Sequence, residues 1–221
     1  MEPRPEVASL PDFTHGGLQT AEMARLGLDP ARILDFSVCC NPFGPPPALR
    51  SSFSFSQIHM YPDSECVQFR KILSNRVGVG PENMIAGSGA TELLRLVALA
   101  FIRTGDVILV PSPTYGEYEM ASRIMGGRVY RMLLDDDGQY RIDVRALIEV
   151  VRKQRPRVVF LCNPNNPTGW YLGRDDVEAV ADACDDTLLV LDEAYAGFTA
   201  DRWESASMMD RCNVLIVRSM T

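Results

Sequence analysis

The sequence is poor in residues that several common chemistries require. Its 221 residues include only two histidines, His15 and His59, and only two lysines, Lys71 and Lys153. That leaves no histidine-rich metal centre to build. Lysine and arginine together number 22 against 29 acidic residues, a net charge of −7. The chain therefore lacks the general basic face that nucleic acid or an anionic membrane would need, although a small local anion site remains open. The longest apolar run, Leu96 to Ile102, is far too short to span a bilayer. Met1 to Glu6 carry no apolar core of a signal peptide. Six cysteines, Cys39, Cys40, Cys66, Cys162, Cys184 and Cys212, form no CxxC pair. They are expected to be reduced, mostly buried thiols of a cytoplasmic protein. What is there is ordinary for a globular domain: 46% apolar and 23% charged residues exclude disordered and fibrous classes.

Residues 1–60 differ in kind from the rest. Pro11, Gly16, Gly17, Pro42 and the run Gly44-Pro45-Pro46-Pro47 interrupt them repeatedly, which predicts an arm with one short helix near Thr20 to Leu26. From residue 61 a larger domain runs to 221. Its first helix is expected to be capped by Asp63 or Ser64, with Val67, Ile72, Leu73 and Val77 on one face. Short apolar segments then alternate with amphipathic ones. The expected strands are Met84–Ala86, Val107–Val110, Val129–Leu134, Val158–Cys162, Leu188–Leu191 and Val214–Val217. Between them, Thr91–Arg103, Tyr115–Met125, a segment from Asp143, and Asp175–Cys184 have helical spacing. The pattern predicts an α/β fold: a mostly parallel sheet covered by helices on both faces, with right-handed crossovers.

Polar motifs follow five of these strands: Gly87-Ser88-Gly89-Ala90-Thr91, Pro111 to Tyr115, Asn163 to Gly169, Asp192-Glu193-Ala194-Tyr195, and Arg218-Ser219-Met220-Thr221. In a parallel sheet the carboxyl ends of the strands share one edge, where ligands bind. The glycine turn opening into a helix at Gly89, Ala90 and Thr91 offers free N–H groups and the positive end of a helix dipole to an anion. It also reads as a tight turn with Thr91 as N-cap. Tyr115 either covers a flat ligand or packs. Asn166 either offers a directed amide or belongs to a stiff turn. Asp192, at the end of an apolar strand, needs a partner: a cationic heterocycle, a metal shared with Glu193, or an arginine. Tyr195 can share a hydrogen bond with whatever Asp192 faces.

Asn-Asn-Pro-Thr-Gly at 165–169 and Asp-Glu-Ala-Tyr at 192–195, in this order, resemble the fold-type I, pyridoxal-phosphate-dependent aminotransferases. The segments His15-Gly16-Gly17, Leu34 to Ser37 and Asn41 to Pro46 look like the branch that holds histidinol-phosphate aminotransferase and threonine-phosphate decarboxylase, the first of them leaning towards the decarboxylase. The resemblance implies pyridoxal 5'-phosphate as cofactor and a small amino-acid substrate. Gly89, Ala90 and Thr91 would then hold the phosphate, with Ser219 and Thr221 as further ligands. Tyr115 would stack on the pyridine ring, Asn166 and Tyr195 would bond its phenolic oxygen, and Asp192 would pair with its nitrogen. Tyr61 is similar to the family tyrosine that reaches the phosphate of a neighbouring subunit, which implies a homodimer with composite sites.

The family's Schiff-base lysine follows the stretch matched by Arg218 to Thr221, and neither Lys71 nor Lys153 lies in such a motif. The resemblance therefore implies that these residues hold the cofactor non-covalently at most, without catalytic turnover, and that the small carboxy-terminal domain is absent. A cofactor-binding assembly module and one half of a split enzyme are the alternatives. A strand that the family inserts beside Val214–Val217 is also missing, so rearranged pairing, an edge-paired or domain-swapped oligomer, or marginal stability is expected.

Overall fold

Valine, leucine and isoleucine fill consecutive strand positions because both faces of the sheet are covered. The computed structural model describes residues 1–10, 16–39, 41, 43–52, 59–135 and 138–220. They fall into two units, one of Met1–Leu10 with Glu65–Met220 and the other within Pro11–Ser64. The larger unit contains α1 (Pro5–Ala8), and the smaller one α2 (Thr20–Leu26) and α3 (Pro47–Ser52). The larger unit then continues through α4 (Val67–Val77), α5 (Ala90–Phe101), β1 (Val107–Ser112), α6 (Glu117–Ile124), β2 (Arg128–Leu133), α7 (Val144–Gln154), β3 (Val158–Cys162), α8 (Arg174–Ala183), β4 (Leu188–Asp192) and β5 (Val214–Val217). The sheet is parallel throughout, in the order β2-β1-β3-β4-β5. No described helix is long and apolar enough to cross a membrane.

Side chains alternate across a strand, and the two cores follow that period. Leu109, Val159, Leu161, Leu189 and Leu191 face α7 and α8, where Leu147, Val151, Val177, Val180, Ala181 and Cys184 are buried. Ile108, Val110, Val158, Phe160, Cys162, Val190 and Val217 face the other way, onto Leu94, Val97 and Ala98 of α5 and Tyr118 and Ala121 of α6. The amphipathic spacing of α7 works together with a cap: the Asp143 carboxylate accepts from the N–H groups of Arg145 (2.9 Å) and Ala146 (3.1 Å). Asp143→Ala is expected to cost about 1 kcal/mol, seen as a lower midpoint in urea denaturation.

The smaller unit shows why two glycines stand together in the arm. A Cβ on Gly16 would lie 2.0 Å from the carbonyl oxygen of Ser37, so only glycine allows that approach. Beside it the Gly17 N–H donates to Ser37 Oγ (2.7 Å). Ser37 in turn donates its N–H (2.8 Å) and hydroxyl (2.6 Å) to Asp35, and these bonds hold the Asp35 carboxyl below its ordinary range. His15 lies outside the described residues.

Some expectations fail here. Met84–Ala86 is not a strand of the sheet, although Met84 has extended dihedrals. A triplet of apolar residues needs a neighbouring ladder to become a strand, and β5, with β4 on one side, gains none from it. The rearranged pairing therefore does not occur among the described residues. Helix α4 starts at Val67, so neither Asp63 nor Ser64 holds the N-cap position. Its N-cap is Cys66 at φ 48, with no side-chain cap bond. No residue of α4 is buried, and Val67 and Ile72 of the expected apolar face are exposed. The described cysteines are free thiols, but only Cys162 and Cys184, on core faces, are buried; Cys39 and Cys212 are exposed.

Candidate functional site

The alternation along β4 decides where its terminal carboxylate goes. Leu189 and Leu191 face α7 and α8, so Val190 and Asp192 face α5 and α6. Asp192 is 3% exposed, and its backbone pairs in register with Cys162 of β3 and Val217 of β5. One carboxylate oxygen accepts from the Tyr118 hydroxyl (2.7 Å) and the other from the Ala194 N–H (2.9 Å). Burial pushes the Asp192 carboxyl up, against the opposing pull of these two bonds. Burial also raises the Tyr118 hydroxyl well above its ordinary value, and the Asp192 charge adds to that. The Cys162 thiol is pushed up to about 11, again by burial first and the Asp192 charge second. Among the described residues this buried carboxylate is flanked by neutral donors, an unfinished ion pair.

Helix α6 presents Tyr115, just before its first turn, and Tyr118 to this side of the sheet. The Tyr118 ring stacks on Phe160 (centroids 5.1 Å apart, planes 10° apart) and meets the Tyr115 ring edge-on (5.6 Å). The Tyr115 hydroxyl is 3.0 Å from Thr91 Oγ1 at the start of α5. Arg95 of α5 ties the two helices together through Nε (3.0 Å) and an outer nitrogen (2.8 Å) on the buried carboxylate of Glu117.

The turn before α5 is built by Gly89, whose φ of +84° is costly for any side chain. Its N–H donates to Gly87 O (2.8 Å), and the Ser88 N–H donates to the Glu92 carboxylate. Thr91 is not the N-cap. Gly89 holds that position, Ala90 and Thr91 are the first two helical residues, and no helical turn precedes their N–H groups. With the Thr91 hydroxyl they make a small anion cradle at the positive end of the dipole.

The loops after β1 and β3 brace one another. Asn165 accepts from the Thr114 hydroxyl (2.6 Å) and donates to Pro113 O (3.0 Å) and Thr168 Oγ1 (2.9 Å). Asn163 exchanges bonds with Leu172 in both directions, at 2.7 and 3.0 Å. Asn166 is half-buried in the same loop after β3. After β4, Glu193 points away from Asp192 and accepts from Arg218 (2.9 Å), which also reaches Glu204 and Ser205. A metal shared by Asp192 and Glu193 is thereby disfavoured, and no group of three metal-ligating side chains occurs among the described residues.

Thr91, Tyr115 and Asp192 are thus joined on one flank of the sheet through Tyr118, and Asn166 belongs to the loop after β3. Tyr195 and Ser219 follow β4 and β5 at the same edge and are half-buried. Tyr61 belongs to the smaller unit and is fully exposed, and Thr221 lies outside the described residues. Sequence reasoning missed Tyr118, the Arg95–Glu117 tie and the Arg218–Glu193 pair. The three-residue spacing of Tyr115 and Tyr118 was the one available signal for the first. The donor set fits a planar ring that carries a phosphate at one end and a protonatable nitrogen at the other.

The family description "Aminotransferase class I and II" matches residues 32–221. A histidinol-phosphate aminotransferase of Ruminiclostridium cellulolyticum is 33% identical over 186 residues, covering 82% of this chain and 52% of that protein. The structure of histidinol-phosphate aminotransferase from Sinorhizobium meliloti, in complex with pyridoxal-5'-phosphate, superimposes with a TM-score of 0.83 at 27% identity, over 97% of this chain and 57% of that one. L-threonine-O-3-phosphate decarboxylase from Porphyromonas gingivalis gives 0.61 at 28% identity, over 73% and 49%. The chain spans about half the length of the curated relatives it matches.

Proposed function

Because this chain belongs to the family of class I and II aminotransferases, we propose that its residues form the pyridoxal 5'-phosphate site of an enzyme acting on an amino acid or its phosphate ester. Histidinol phosphate and threonine phosphate are the substrates that the relatives suggest, with transfer of the amino group or decarboxylation as the reaction. The observation that carries this reading is the line of contacts from Thr91 through Tyr115 and Tyr118 to Asp192. It sets an anion cradle, an aromatic face and a buried carboxylate side by side.

When bound, the cofactor would supply an electron sink for bonds broken at the substrate Cα. The chain's own residues do the rest. The N–H groups of Ala90 and Thr91 and the Thr91 hydroxyl would hold the phosphate, with Ser219 as a further ligand. Gly89 sets the turn that aims them. Tyr115 would cover the ring, and Asn166 and Tyr195 would bond its phenolic oxygen. Asp192 would hold a proton at the ring nitrogen, a charge-assisted contact worth about 1.5–3 kcal/mol. Tyr61 would reach the phosphate of a second copy in a dimer, and the exposure of Phe36, Phe43 and Tyr61 supports such an interface.

Neither of the two lysines among these residues is placed to anchor the cofactor. Lys71 is exposed on α4, and Lys153 is exposed in the last turn of α7, which returns to the amino-terminal edge of the sheet, away from Asp192. By themselves these residues are therefore expected to bind pyridoxal phosphate reversibly and not to turn over. Titration followed by absorbance should give saturable binding, about fivefold weaker in Thr91→Val, which removes one hydrogen bond of about 1 kcal/mol. Borohydride reduction followed by peptide mass mapping should find no specific lysine adduct. A stoichiometric adduct at Lys71 or Lys153 with turnover would overturn this reading. A second reading, favoured by the same lack of a lysine near Asp192, is one half of a split enzyme. Activity restored by mixing with a separately expressed lysine-bearing half would support it.

A further inference from the structure

We propose that Tyr118 is a positioning residue for Asp192: its hydroxyl aims the carboxylate into the strand-end crevice and maintains the charged form that pairs with a protonated ring nitrogen. The inference rests on the proposed cofactor site and extends it to a residue outside the motifs that suggested that site.

Geometry carries it. Tyr118 is fully buried, and its ring is clamped between Phe160, face to face, and Tyr115, edge to face. A ring held on two sides has little freedom to swing its hydroxyl elsewhere. That hydroxyl lies 2.7 Å from Asp192 Oδ2, while Oδ1 is held by the Ala194 N–H. With a donor fixed to each oxygen, the plane of the carboxylate is set before any ligand arrives.

The electrostatics of the surroundings leave this task to neutral donors. From β3 the group facing Asp192 is the Cys162 thiol, whose proton goes to Pro164 O (3.3 Å). From α6 it is Tyr118, and from β5 the apolar Val217 pairs in register. Arg218, the nearest cation along β5, is taken by Glu193 and Glu204. Among the described residues Asp192 makes no ion pair, so burial alone would drive it towards the neutral acid. A neutral acid pairs poorly with a protonated ring nitrogen. The phenol opposes this because it donates more strongly to a carboxylate than to a carboxylic acid. Tyr115 and Tyr118 thus divide the work: one would cover the ring, and the other holds the carboxylate that would pair with its nitrogen.

The test is a double-mutant cycle on the full chain. Tyr118→Phe keeps the stacked ring and removes only the hydroxyl. In the native background it should weaken pyridoxal phosphate binding about tenfold. In an Asp192→Asn background, where no carboxylate remains to be held, the same change should shift affinity less than about twofold. A second readout needs no cofactor. The infrared carboxyl band that disappears in Asp192→Asn should titrate at higher pH in Tyr118→Phe than in the native chain. If the native chain fails to bind pyridoxal phosphate, the cofactor reading falls, and the infrared titration still judges Tyr118. Equal losses in both backgrounds, or an unmoved carboxyl titration, would make Tyr118 a packing residue and overturn the proposal.

Discussion

Asp192→Asn should lose about ten- to a hundredfold in affinity for pyridoxal phosphate and, without cofactor, become more resistant to denaturation at neutral pH. The two effects share one cause. Asp192 is 3% exposed, and its carboxyl is shifted upward by burial, so its charged form is the costly one until a cation arrives. For a group whose folded value lies above its unfolded value, stability is highest below the unfolded range, near pH 4 for a free aspartate. It falls as pH rises from there through the folded value, because the unfolded chain then releases the proton more readily. Above that window the penalty is fully present, and the neutral asparagine is spared it. The gain from Asp192→Asn should therefore shrink as pH is lowered towards the free-aspartate range. Urea melts across that range check the stability arm, and cofactor titration checks the affinity arm. A variant that lost both stability and affinity at neutral pH would mean that Asp192 is a structural anchor.

Phe160→Ala should be the most destabilising of the substitutions considered, by about 3–5 kcal/mol. Phe160 is 1% exposed in the middle strand of the sheet, at the centre of the core beneath α5 and α6. Its loss leaves a cavity that β3 and its neighbours, held by ladders on both sides, cannot close. It also removes the face on which Tyr118 stacks. Cofactor affinity should therefore fall along with stability, in contrast to Tyr118→Phe, which keeps the stack. The midpoint and amplitude of urea unfolding, measured beside the cofactor titration, separate these cases.

The sequence made the strands legible wherever apolar residues ran without interruption, as in Val158 to Cys162 and Leu188 to Leu191. Helix α7 was legible from Leu147 and Val151 recurring on one face of a segment that begins at Asp143, and the structure added the Asp143 cap. The rim positions of Tyr115 and Asp192 were legible because polar groups at the ends of apolar strands emerge at a shared edge, whereas the segment expected to lead to Thr91, Met84–Ala86, forms no strand. The resemblance to the aminotransferase family then gave them joint meaning. The sequence misled at Met84–Ala86, where strand-like composition met no ladder, and at α4, whose apolar spacing met no core.

By itself, then, the chain's order of residues determined local matters: the five strands, the helices that pack on them, and which way the residues of those elements face. These depend on periods of two and of about 3.6 residues, and such periods are written in neighbouring positions. Only the tertiary structure decided that the Tyr118 hydroxyl meets Asp192, 74 positions away. The same holds for Arg95 clasping Glu117, and for Arg218 going to Glu193, which leaves Asp192 without a cation among the described residues. Such pairings depend on the register between distant segments and on which competing partner lies nearer. No local period encodes either.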